Sequence, residues 1–204
     1  PWTLVDGDVL PVKFGCEVKD FDPTAYLNVK EARRQDRLDE IKTEYPGMET
    51  IKCDVADAVQ REELAEWMIK KFPELNVLIN NAGVQYVTDL SKPINTKKVE
   101  EEVGINFIAP VHLSSLLTPH LVTKENAAII TISSGLAFVP IAAMPVYCAS
   151  KAAIHSFCLS LRYQLKSTSV KVFEIAPPSV DTELGHDRRA DKTQTHGGIS
   201  GDEF

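Results

Sequence analysis

Four runs of consecutive apolar residues mark the chain: METIKCDVAD (48–57), NVLINNAG (76–83), NAAIITISS (126–134) and VKVFEIAPP (170–178). They are apolar without alternation, the pattern of strands covered on both faces in a parallel sheet. Between them the period changes to threes and fours. From Gln60 to Phe72 the residues Leu64, Trp67, Met68 and Phe72 share a helical face, and from Val99 to Leu121 so do Val103, Phe107, Val111 and Leu117. From Val146 to Leu165 a stripe runs through Val146, Ala149, Ala153, Phe157, Leu161 and Leu165. Strand and helix in alternation, with right-handed crossovers, predict an α/β fold: a Rossmann-like doubly wound parallel sheet with helices on both faces. No internal repeat or low-complexity linker interrupts it, so residues 1–204 read as a single domain.

The composition narrows the partners. With 204 residues, 44% hydrophobic and 25% charged, the chain can bury a full core. A net charge of -7 argues against nucleic acid or an anionic membrane surface. The longest nearly uninterrupted apolar stretch, Leu136 to Val146, is too short to span a bilayer and contains Pro140 and Pro145. The opening PWTLVDGDVL lacks the order of a signal peptide and reads as a cut end. Cys16, Cys53, Cys148 and Cys158 form no CxxC pair and no zinc spacing, which suits reduced cysteines in a cytoplasmic protein. His112, His120 and His155 lack any HExxH spacing, so no metal is expected. TISSGL lacks the first glycine of a hydrolase GxSxG elbow.

The segment PVYCASKAAIHSF (145–157) carries the candidate chemistry. Pro145 suits a first helical turn, and Tyr147 and Lys151 then project at i and i+4 from one face, off the apolar stripe. A free phenol titrates near pH 10, and an ammonium beside it favours phenolate, which makes tyrosine a usable general acid or base. YxxxK alone also fits a solvated helix face. Its neighbourhood adds weight. Ser134 ends the strand NAAIITISS, NNAG (80–83) ends the strand before it, and Asp54 closes the one before that. Open α/β sheets bind ligands beyond the carboxyl ends of their strands, so these groups converge on one edge.

CDVAD, NNAG, ISSGLAF, YCASK and APPSVDT, in this order and spacing, resemble the short-chain dehydrogenase/reductase family over roughly residues 33 to 185. The run SSGLAFVP, PVYCASKAAIHSF and APPSVDTEL resembles more narrowly a DltE-like subgroup of oxidoreductases. The resemblance implies hydride transfer between NAD(P)H and a small carbonyl or alcohol substrate. It implies Tyr147 as acid/base, Lys151 as the group that lowers its pKa and holds the nicotinamide ribose, Ser134 as the residue orienting the carbonyl, and Asn106 as support for a proton-relay water. Asp54 and Val55 would border the adenine; Asn81, Ala82 and Gly83 would line the cleft; Pro177, Val180 and Thr182 would lie by the nicotinamide, with Pro177-Pro178 where the family more often has Pro-Gly. Arg33 and Arg34 point to NADP over NAD, unless RRQDR is only a charged first helical turn. A homo-oligomer formed through the helices beginning near Val99 and Tyr147 is also implied.

Two departures qualify this. The family's opening strand and TGxxxGxG turn, which hold the pyrophosphate, have no counterpart: before Gly47 only Gly7 and Gly15 occur. Residues 1–30 are therefore atypical, and 1–24 are expected to pack irregularly or to be poorly ordered, with VLPVKF (9–14) a poor central strand because Pro11 cannot donate to a ladder. The polar segment 186–204 corresponds to the substrate loop; Ser200 and Glu203 read as a capping box, and His186 and His196 as solvated. First and last elements of the fold are thus incomplete, and the competing reading is a non-catalytic remnant or interaction protein that cannot bind dinucleotide.

Overall fold

The computed structural model describes residues 2–5, 8–11, 29–32, 38–39, 42–43, 45, 49–178, 180–181 and 199–200. The strands are β1 (Trp2–Val5), β2 (Asp8–Pro11), β3 (Val29–Ala32), β4 (Glu49–Lys52), β5 (Val77–Asn80), β6 (Ala127–Ile132), β7 (Val170–Ile175), β8 (Val180–Asp181) and β9 (Ile199–Ser200). The helices are α1 (Ala58–Lys71), α2 (Thr96–Val103), α3 (Ala109–Leu121) and α4 (Pro145–Gln164). All four predicted apolar runs contain a strand, and the pattern of parallel strands and covering helices is that of a Rossmann-like α/β fold.

β5, β6 and β7 form a parallel sheet in that order, and β3 pairs with β4 in parallel. β6 is buried along nearly its whole length, as a strand covered on both faces must be. β7 departs from that expectation. It alternates, with Val170 and Val172 buried against Leu161 and Leu165 of α4 while Lys171 is exposed and Phe173 is 48% exposed. Among the described residues only β6 pairs with it, which leaves its other edge open, while α4 covers one of its faces.

The amino-terminal strands do not fill a central place in the parallel sheet, and residues 12–24 lie outside the described residues. β1 and β2 pair antiparallel, Trp2 opposite Pro11, as a two-stranded sheet of their own. Pro11 sits at the end of that edge ladder, where its missing N–H costs least. Among the described residues β3 pairs only with β4, and β5 only with β6. Ser200 likewise lies in a strand, not at a helix start: β9 pairs with β8 in parallel, Asp181 opposite Ser200. An N-cap residue is also extended, so the local pattern did not separate the two outcomes. His186, His196 and Cys16 lie outside the described residues.

The predicted helix from Val99 to Leu121 is interrupted. Residues Gly104–Ile108 form a π turn, with Ala109 N donating to Gly104 O. Pro110 has no N–H to give the Asn106 carbonyl, so regular α geometry could not close there. The extra residue rotates the buried face, which runs through Glu102, Ile105, Asn106, Ala109, Leu113 and Leu117 instead of Val103, Phe107 and Val111.

Candidate active site

Proline at the first turn of α4 pre-sets its φ and surrenders an N–H that would have no intrahelical partner. The buried face of α4 is not the predicted stripe. It runs through Tyr147, Lys151, Ile154, Cys158 and Leu161, while Ala149 is exposed and Phe157 half-buried. Hydrophobicity misplaced the face because two polar residues are buried at its amino-terminal end, with Tyr147 and Lys151 each 5% exposed. Lys151 Nζ donates to Ile132 O at 2.8 Å, at the last residue of β6, and lies 5.7 Å from the centroid of the Tyr147 ring. Met144, Cys148 and Leu136 pack around the phenol. Removal from water disfavours the charged amine, and the Lys151 pKa falls from 10.5 to about 8.

The π turn aims Asn106 at the segment after β5. Asn106 is 1% exposed and makes three hydrogen bonds. Val84 N donates to its Oδ1 at 2.9 Å, and its Nδ2 donates to Val84 O at 2.8 Å and to Ser150 Oγ at 3.1 Å. Ser150 in turn donates to Tyr147 O at 2.8 Å, so Asn106 is linked to the tyrosine's own helix turn. A Cβ on Gly83 would lie 3.6 Å from Asn106 Oδ1 and 3.7 Å from Lys151 Nζ. Gly83 thus brings Asn106 and Lys151 to one point.

Ser134 caps the short 3-10 turn Gly135–Ala137, its Oγ accepting from Leu136 N at 3.1 Å. α4 packs against that turn. Gly135 N donates to Pro177 O at 3.0 Å and Ser133 N to Ile175 O at 2.8 Å, which brings Pro177 beside Ser134. Opposite, Asp54 and Val55 follow β4, and Asn81, Ala82 and Gly83 follow β5. The structure therefore places Ser134, Tyr147, Lys151, Asn106, Asn81–Gly83 and Pro177 at the carboxyl ends of β5 to β7. Arg33 and Thr182 lie outside the described residues, and Val180 is placed only as backbone in β8.

Sequence reasoning missed Ser150, which couples Asn106 to α4, and Glu102, one turn before Asn106. Glu102 is 1% exposed; its Oε1 accepts from Tyr86 N at 3.0 Å and its Oε2 is buried without a partner among the described residues. Burial raises its carboxyl pKa. The interval Asn106 to Pro110 was the available sign, since the proline removes the helical donor to the asparagine.

A dinucleotide fits the described end of this site. Among the described residues, Asn81 presents buried Nδ2 and Oδ1 atoms with no partner, Gly83 keeps the floor free of side chain, and Lys151, with three donors, has one hydrogen bond. A buried amine beside a phenol, with a serine hydroxyl across from them, can exchange protons with a bound carbonyl or alcohol.

Residues 19–193 match the family described as short chain dehydrogenase. Among curated relatives, the uncharacterized oxidoreductase DltE of Bacillus subtilis is 52% identical over 173 residues, covering 84% of this chain and 69% of that protein. Among solved structures, the closed form of serine dehydrogenase complexed with NADP+ superposes with a TM-score of 0.79 at 26% identity, covering 88% of this chain and 76% of that one. A short-chain dehydrogenase from Streptomyces avermitilis shares the fold, with a TM-score of 0.70 at 21% identity; this chain spans 60% of its length. The buried tyrosine and lysine of α4, the asparagine of the π turn and these matches lead to one conclusion: the chain belongs to the short-chain dehydrogenase/reductase family.

Proposed function

We propose that the protein is an NAD(P)-dependent oxidoreductase that interconverts a carbonyl and an alcohol, with Tyr147 as the proton donor and acceptor. The observation that carries this reading is the Lys151 amine, buried, tied to Ile132 O at 2.8 Å and 5.7 Å from the Tyr147 ring. A cation fixed in a dry site favours the charged form of a phenol beside it and so eases proton transfer at the phenolic oxygen. Ser134 orients the substrate oxygen. Asn106 holds the segment after β5 and, through Ser150, the turn of α4 that carries Tyr147.

A bound nicotinamide dinucleotide would supply or accept the hydride. Asp54 and Val55 would hold its adenine end, Asn81, Ala82 and Gly83 its middle, and Lys151, Pro177, Val180 and Thr182 its nicotinamide end. Arg33 favours NADP over NAD, and the NADP+ complex of the serine dehydrogenase relative supports that preference. The segments Gln85 to Leu90 and Leu136 to Met144 are mostly apolar and would suit a hydrophobic carbonyl compound. Buried Cys53, Cys148 and Cys158 accord with a reducing cytoplasm, and association of copies through α2, α3 and α4 accords with the family. No helix among the described residues is long and apolar enough to cross a membrane.

Titration of the 204-residue chain with NADPH tests this directly. Saturable micromolar binding is expected, tighter than for NADH. A folded circular dichroism spectrum without binding would leave the non-catalytic remnant as the better reading.

A further inference from the structure

The turn from β4 into α1 is built largely from its own residues. Asp54 Oδ1 accepts from Ala56 N at 3.0 Å, Asp54 N donates to Gln60 Oε1 at 2.8 Å, and Asp57 caps α1 by accepting from Val59 N and Gln60 N. One connection leaves the turn. Arg61 donates from Nη1 to Val55 O and from Nε to His112 Nδ1 at 3.0 Å, 51 residues away on α3. Arg61 is 4% exposed. A guanidinium is seldom so buried unless its donors are used. Because arginine can only donate, His112 must accept at Nδ1 and carry its proton on Nε2, which faces Glu62 Oε1 at 3.9 Å.

Among the described residues no ladder joins β4 to β5. Among these residues, strand pairing thus does not link Asp54–Val55 to Asn81–Gly83, the two lips of the cleft. α1 packs against α3, and within that interface Arg61 of α1 joins His112 of α3 to the lip itself.

On the dinucleotide-binding reading above, we infer that Arg61 and His112 form a positioning pair that holds the Val55 carbonyl, and with it the adenine-facing lip, at its working distance from the opposite lip. The pair governs affinity for the adenine end and touches no reacting atom. Lysine cannot replace Arg61, because one nitrogen cannot reach two acceptors as a rigid planar fork does. Glutamine can replace His112, since its amide oxygen can accept from Arg61 Nε.

The test compares wild type, Arg61→Lys, His112→Ala and His112→Gln in titrations with NADPH, adenosine 2′-phosphate and reduced nicotinamide mononucleotide, with amide hydrogen exchange of residues 53–57 in the free protein. Arg61→Lys and His112→Ala should bind NADPH and adenosine 2′-phosphate about tenfold more weakly, the loss of about one good polar contact. Their affinity for reduced nicotinamide mononucleotide, which lacks adenine, should stay within twofold of wild type, and exchange at 55–57 should quicken. His112→Gln should restore all three. Unchanged affinities in both variants, with wild-type binding intact, would overturn the pair alone, even if their melting temperatures fell. Failure of the wild type to bind NADPH would instead remove the dinucleotide reading on which the pair rests.

Discussion

Asn106 and Val84 are joined by two hydrogen bonds running in opposite directions, Val84 N to Asn106 Oδ1 at 2.9 Å and Asn106 Nδ2 to Val84 O at 2.8 Å. A side-chain amide here does what a neighbouring strand would do for the backbone. It pins the residue after Gly83 to the π turn and so fixes the floor of the cleft.

Replacing Asn106 with Leu keeps the branched outline of the side chain and removes both bonds. It leaves Val84 N–H and C=O buried and unpaired, and each orphan costs roughly 1–3 kcal/mol. The variant should lose about 3 kcal/mol or more of stability in urea unfolding. A loss under about 1 kcal/mol would mean that the clasp does not hold this segment.

Lys151 makes stability depend on pH in an alkaline window. Its pKa is about 8 when folded and 10.5 when unfolded. Below pH 8 both states carry the proton and the burial penalty is felt in full. Between about 8 and 10.5 the unfolded chain holds more protons, so stability rises with pH, by about 3 kcal/mol at about 1.4 kcal/mol per unit. Lys151→Met should lack this rise. The stability difference between variant and wild type, measured at pH 7 and pH 10.5, should favour the variant more at pH 7; an equal difference at both would refute the assignment.

Glu102 acts with the opposite slope in an acid window. Burial raises its carboxyl pKa, so the folded state holds more protons than the unfolded state as pH rises from the ordinary value of 4.5. Stability contributed by Glu102 is therefore lost with rising pH through that window. Glu102→Gln keeps an oxygen for Tyr86 N and carries no charge. It should be the more stable protein at pH 7, with the advantage vanishing by pH 3.5, as read from unfolding midpoints.

Tyr147→Phe removes one oxygen from a packed site and should fold with a stability within about 1.5 kcal/mol of wild type. Turnover of any carbonyl substrate should fall by roughly 10² to 10⁴, the usual share of a positioned acid or base. NADPH affinity should change little. Persistent turnover in a stopped-flow assay would exclude the phenol as the proton carrier.

Strands β4 to β7 were readable because continuous apolar runs have few other homes, and the tyrosine–lysine pair because a proline marks the start of its helix. What escaped was any feature decided by tertiary contacts. The buried face of α4 carries Tyr147 and Lys151, which hydropathy assigns to water; the carbonyl of Ile132 accepts from the amine and makes its burial tolerable. The π turn depended on Pro110 denying Asn106 a donor, and a stripe drawn at one uniform period passes over that defect. The β1–β2 pairing was legible in the sequence, since Asp6-Gly7 between Trp2–Val5 and Asp8–Pro11 is a two-residue hairpin signature. Arg61 lies in a stretch that reads as solvated helix surface, and its partner His112 is 51 residues distant.

The dryness around the Lys151 amine gives that side chain two regimes. At pH 6 it is a permanent cation, a fixed electrode beside the phenol. Near pH 8, where its pKa falls, half the molecules hold the proton and half have released it, so the same nitrogen becomes a reversible reservoir that can refill or drain within the range where many enzymes are assayed.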